Sequence, residues 1–97
     1  MTQNREVRGV HTTTFVDAEG FTNIIYRGTA VVRFNERTII LNSGGWRTVT
    51  TKLRMNQAAN QYRLGFQVRQ RDWDWFVIGP CAPQGGTFED GMEMMRL

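Results

Sequence analysis

Cysteine, histidine and proline are scarce in these 97 residues, with one, one and two copies, and each scarcity excludes something. Cys81 has no partner for an internal disulfide and sits in the turn-like Gly79-Pro80-Cys81-Ala82-Pro83, so a reducing, cytosolic setting is expected. His11 and Cys81 lie near opposite ends and fall short of the three or four ligands a metal site needs. Nor do they come with the Asp or Asn spacing of a nucleophilic triad. Asp72 and Asp74, flanking Trp73, read as solvated turn acids. No catalytic residue, metal or cofactor is therefore expected, and the chain reads as a non-enzyme. No apolar run approaches the roughly 20 residues of a membrane span, and Met1 to Arg8 lacks the apolar stretch of a signal peptide. The expectation is a cytoplasmic protein with no membrane partner.

What is present is enough for one hydrophobic core without staples, since 40% of residues are hydrophobic and three are tryptophan. The net charge is +3, unevenly spread. Between Thr22 and Ile78 nine basic residues face three acids, whereas the last 19 residues carry one basic residue and three acids. A basic centre with mildly acidic ends favours a polyanion or an acidic partner surface. The expected organisation is a flexible segment over 1–9, a single domain over 10–79, and a loosely held Gly/Pro- and Met-rich tail over 80–97.

Periodicity gives the expected elements. Val10 to Val16 is β-branched and aromatic, and Asp17-Ala18-Glu19-Gly20 has turn composition. Thr22 to Phe34 alternates with period two as one long strand, Gly28 marking a bend or bulge. Asn35-Glu36-Arg37 then turns the chain into Thr38 to Leu41. After Gly44-Gly45, Thr48 is a candidate N-cap for a helix reaching Tyr62, with Gly65 beyond it as a left-handed stop. The helix stripe is Thr51, Met55, Ala58, Ala59 and Tyr62, widened by Val49 and Leu53, with Arg54, Gln57 and Gln61 on the wet side. Leu64 to Arg69 and Trp73 to Ile78 are the closing strands. The result is an α+β fold: a small antiparallel β-sheet with one helix on one face, a β-β-α-β-β core with an extra N-terminal strand.

Several residue groups invite a functional reading. Arg27, Arg33, Arg69 and Arg71 fall on odd strand positions and would line the sheet face the helix leaves open. With Trp73 or Trp75 nearby they resemble the parts of a single-strand nucleic-acid platform, guanidinium for phosphate and a stacking surface for bases. The alternative, and the commoner use of such residues, is as solubilising charges on an exposed face. Gly44, Gly45, Arg47, Lys52 and Arg54 surround a helix N-terminus and suggest an anion pocket, although no phosphate-loop signature is present. In the alternative reading the glycines only make a sharp turn and Trp46 plugs the core beneath it. Trp73 and Trp75 project to the same side of the last strand and could form a partner-binding anchor or a core cap. The tail, with Phe88, Met92, Met94, Met95 and Leu97, could dock on a partner or fold back on the domain.

The stretch from Ile25 to Val77, through L-N-S-G-G-W-R-T-V-T-T-K-L-R-M-N, G-F-Q-V and W-D-W-F-V, resembles a family of small proteins widespread in tailed-phage genomes. The resemblance implies origin and carries over no catalytic residue; it leaves the amino-terminal segment and the Met-rich tail outside the matched region. The expected function is a small phage accessory protein binding nucleic acid through a basic sheet face. The alternative is an inhibitor or adaptor that binds a host or defence protein through an Arg/Trp surface. An open sheet edge would let two copies pair as a homodimer in either case.

Overall fold

Short runs of β-branched and aromatic residues, separated by residues that accept a left-handed backbone, divide the chain into more strands than its alternation suggests. A computed structural model describes residues 11–82 and 86–96; the expected flexible segment over 1–9 lies outside the described residues. The order is β1 (Thr12–Val16), β2 (Thr22–Tyr26), β3 (Thr29–Phe34), β4 (Thr38–Leu41), α1 (Val49–Tyr62), β5 (Gln67–Arg71), β6 (Asp74–Ile78) and β7 (Met92–Met95). The class is α+β with antiparallel pairing throughout, including the extra N-terminal strand. The strands form two sheets rather than one: a five-stranded sheet in the order β1-β2-β3-β4-β7 and a ribbon of β5 and β6.

The expected long strand over Thr22 to Phe34 is a hairpin. Arg27 and Gly28 take φ of 51° and 81°, the positive pair that a two-residue turn matching the strands' right-handed twist demands. Tyr26 then pairs with Thr29 and Ile25 with Ala30, but Ile24 pairs with Val32, so the ladder slips by one residue at Val31. That bulge breaks the alternation and lets both Val31 and Val32 be buried. A second hairpin of the same kind joins β5 and β6: Asp72 and Trp73 sit at φ of 50° and 75°, which puts Trp73 in the turn rather than in the strand.

The helix starts where expected. Thr48 Oγ1 accepts from the Thr51 N–H at 3.2 Å. It ends at Tyr62 as expected, but the left-handed stop is Arg63 rather than Gly65: Arg63 takes φ 54° while its N–H bonds Ala59 O. The helix faces β2, β3 and β5, so it touches both sheets. Met55, Ala58 and Ala59 are buried as expected, but the stripe is rotated at its margins: Val49 and Leu53 are exposed and Arg54 and Gln57 are buried. Arg54 tolerates this because Nε donates to Thr12 Oγ1 at 2.9 Å, Nη1 donates to Gln57 Oε1 at 3.2 Å, and the guanidinium lies over the Tyr26 ring. Asn56 works as a strand edge, its side-chain amide both donating to and accepting from the backbone of Val68 at 3.0 and 2.7 Å.

The tail, expected to be loosely held, is built into the fold. Thr87 bridges Phe76 on β6, the Phe88 N–H donates to Trp75 O, and the chain then crosses to pair as β7 with β4. Phe88 and Met94 enter the same buried cluster as Ile24, Ile39, Leu41, Met55 and Trp75. The Phe88 and Trp75 rings meet edge to face, centroids 5.2 Å apart at 65°. Phe88→Ala is expected to cost about 3–5 kcal/mol in urea denaturation, the range for emptying a buried aromatic site. An effect below about 1 kcal/mol would show that the tail is not part of the cooperative unit.

Candidate functional site

The four arginines expected on one open face are distributed over three places. Arg33, on β3, is half-buried and committed. Its Nη2 donates to Asp17 Oδ2 at 3.0 Å and to Glu19 Oε1 at 2.6 Å, and its guanidinium lies 4.1 Å from the centroid of Phe21. Arg27 is exposed in the β2–β3 turn, where Nε donates to the Tyr26 hydroxyl at 3.2 Å. Arg69 and Arg71 stand on β5, in the separate ribbon. The bulge and the two hairpins rearrange the odd positions, so the single basic face does not assemble.

The pocket expected at the double glycine is organised around an internal anion. The Asp90 carboxylate, from the returning tail, accepts from the Ser43 N–H and the Ser43 hydroxyl, both at 2.7 Å. Gly44 N–H donates to Asn42 Oδ1 and Gly45 N–H to Ser43 Oγ, so the amides of the corner are occupied. The expected cations diverge from it: Arg47 lies over the Phe88 ring, the Lys52 ammonium donates to Gln70 Oε1 at 3.3 Å, and Arg54 is buried. Gly44 is required by close approach, because a Cβ there would sit 2.4 Å from Thr29 Oγ1. Trp46 does not plug the core; it is 71% exposed.

The two neighbouring indoles also part. Trp75 is 1% exposed and belongs to the core, whereas Trp73, lifted into the turn, is 88% exposed. The Cys81 thiol is buried and donates to the carbonyls of Leu64 and Gly65 at 3.2 and 3.0 Å, and burial pushes its pKa up. Among the described residues no three His, Cys, Asp or Glu side chains gather as a metal site, and no helix is long and apolar enough to cross a membrane.

One face keeps its basic residues free. Register places Gln67, Arg69 and Arg71 opposite Ile78, Phe76 and Asp74, all on the side of the ribbon away from Val68, Trp75 and Val77. Arg69 and Arg71 are exposed and, among the described residues, make no ion pair; Asp74 faces Arg71 without bonding it. A groove of about 800 Å³ runs along this side, bounded by Arg69, Arg71, Phe76, Ile78 and Gly79, with no acid in its lining. Phe76, half-buried directly across from Arg69, was missed in the sequence reading. Counting outward from a two-residue turn at Asp72-Trp73 would have found it.

The Asp17 clamp gives the site-free end of the sheet its acid sensitivity. The Asn23 amide bonded to Asp17 Oδ2, with the Phe21 N–H, the Arg33 guanidinium and the Glu19 N–H, lowers the carboxyl pKa from 3.8 to about 2 against the opposing effect of desolvation. The folded state thus binds this proton more weakly than the unfolded state. The stability it adds is fully present above pH ~4, the unfolded carboxyl range, and is lost as pH falls toward about 2. Asp17→Asn should flatten that part of the acid dependence. In urea melts at pH 5 and pH 2.5 the midpoint of the unsubstituted protein should fall further than that of the variant, and equal falls would assign the sensitivity to other carboxylates.

Comparison with known proteins adds one match. A family model described as Kyanoviridae Gp96 protein covers residues 1–95, so the amino-terminal segment and the Met-rich tail lie within the match rather than outside it. No curated protein matches. No solved structure matches.

Proposed function

This chain belongs to the Kyanoviridae Gp96 family of phage proteins, and from that premise we propose that it is a non-enzymatic accessory protein of the host cytoplasm that binds single-stranded nucleic acid through the outer face of the β5–β6 ribbon. The observation that supports this most directly is the pairing of two unbonded guanidiniums, Arg69 and Arg71, with the half-buried ring of Phe76 beside an acid-free groove. Guanidinium groups on one side of a ribbon meet successive phosphates, and the Phe76 ring across from Arg69 gives one base a stacking surface. Arg33, held by two carboxylates, has no part in this reading, and neither does the buried Trp75.

A second reading rests on Trp73. An indole that is 88% exposed and held at φ 75° at the tip of a hairpin has the character of an anchor for a host or defence protein. Titration of fluorescein-labelled single-stranded and duplex oligonucleotides at 50 and 200 mM salt separates the two readings. For nucleic-acid binding, affinity should fall steeply with salt, and Arg69→Ala/Arg71→Ala should weaken it by about tenfold or more and reduce the single-strand salt slope by about 1.4. No binding at micromolar protein in low salt would overturn it. Recovery from infected-host lysate of one stoichiometric protein, resistant to nuclease and lost with Trp73→Gly, would favour the protein-binding reading. Glycine suits the positive φ at that position, so this variant preserves the turn.

A further inference from the structure

Between the β2–β3 turn, the double-glycine corner and the first turn of the helix lies a second cleft, of about 510 Å³, remote in sequence from the ribbon. Its volume falls within the range of small-molecule sites. It is lined by Tyr26, Arg27 and Thr29 from the β2–β3 hairpin, Ser43 and Trp46 from the corner, and Thr48 and Thr51 from the start of the helix. The hairpin and the corner are pressed together at one point, where Gly44 leaves no room for a Cβ against Thr29.

The chemistry of this lining is one-sided. No acidic residue lines it. Two guanidiniums, Arg27 and the buried Arg54, each lie 5.7 Å from the centroid of the Tyr26 ring, and the hydrogen bond from Arg27 leads the influences that lower the Tyr26 pKa. Most polar groups of the lining are already engaged: Ser43 Oγ with Asp90, Thr48 Oγ1 with Thr51, and the Tyr26 hydroxyl with Arg27 Nε. What stays uncommitted is the terminal nitrogens of Arg27, the Thr29 hydroxyl and the Trp46 indole with its N–H. A flat aromatic surface beside the free terminal nitrogens of Arg27, with no acid in the lining and the nearby Asp90 carboxylate taken up by Ser43, fits a ligand that carries a ring and a phosphate together.

We propose that this cleft binds a nucleoside monophosphate unit, its base stacked on Trp46 and its phosphate held by Arg27, whether as a free nucleotide or as an unpaired nucleotide of a strand. This does not rest on the ribbon reading, since it uses none of the ribbon's residues.

The test is a titration of the ¹⁵N-labelled full chain followed by amide and indole resonances, using adenosine 5′-monophosphate, adenosine and inorganic phosphate in separate arms at low salt. The nucleotide should move the Trp46 indole and the Arg27 and Thr29 amides saturably, with half-saturation below about 1 mM, the weak end of specific binding. Adenosine alone and phosphate alone should each be weaker by tenfold or more. Arg27→Gly, which suits the positive φ of the turn, should weaken the nucleotide by at least fivefold, and Trp46→Ala should abolish saturation; dispersed spectra would show that both variants fold. A 5′-phosphorylated oligonucleotide that moves the same three resonances at lower concentration identifies a strand as the source, and one that moves none of them identifies free nucleotide. Absence of saturable shifts, phosphate as effective as the nucleotide, or shifts confined to residues 69–78 would overturn the proposal. Retained nucleotide binding in Arg69→Ala/Arg71→Ala keeps its outcome separate from that of the ribbon.

Discussion

The contact on which the rest depends is the returning segment Thr87 to Met95, which links the two sheets. It pairs first with β6 through Thr87 and Phe76, sets Phe88 against Trp75, and then pairs with β4 as β7. The ribbon and the five-stranded sheet share no ladder. They are joined by side chains, by the helix that touches both, and by this strand. Asp90 anchors the crossing at Ser43, from 47 residues away in the chain. Closing so long a loop is entropically unfavourable, and the burial of Phe88 and Met94 together with a four-residue ladder offsets it.

A second constraint is how the chain settles its charges. Asp17 and Glu19 hold Arg33, Asp90 fills the amide corner that sequence alone marks for an external anion, and Arg54 is buried among a hydroxyl, an amide and a ring. Each of these contacts withdraws a charged group from solvent and from any ligand. Arg69 and Arg71 keep unbonded guanidiniums along one groove and Arg27 keeps its terminal nitrogens at the mouth of one cleft, while the exposed Arg37 and Arg63 lie outside both linings. Exposed indoles stand near both groups, Trp73 at the ribbon's tip and Trp46 on the cleft wall.

The fold class was legible because it follows from local pattern: the N-cap at Thr48, the return at Asn35, and a helix set between hairpins. The site was less so. Arg27-Gly28 and Asp72-Trp73 are not the Asn-Gly or Asp-Gly pairs that announce tight hairpins, so the first was read as a bend, and at the second a turn was read from Arg71-Asp72 with Trp73 opening the strand. Those two turns and the bulge at Val31 decide which way every neighbouring side chain points. The arginine face was inferred from uninterrupted alternation, and it dispersed when the alternation broke.

By itself the sequence determined the class of fold, the location of the helix and the basic character of the central stretch, because these depend on composition, spacing and nearest-neighbour chemistry; the phage origin came from resemblance to a family. Only tertiary structure decided that Trp75 is core while Trp46 and Trp73 are exposed, that the double-glycine corner receives Asp90, and that the tail is a strand. Each of those outcomes depends on partners dozens of residues away. No local pattern encodes whether an arginine will meet a carboxylate of its own chain or be left to meet one of another molecule's phosphates.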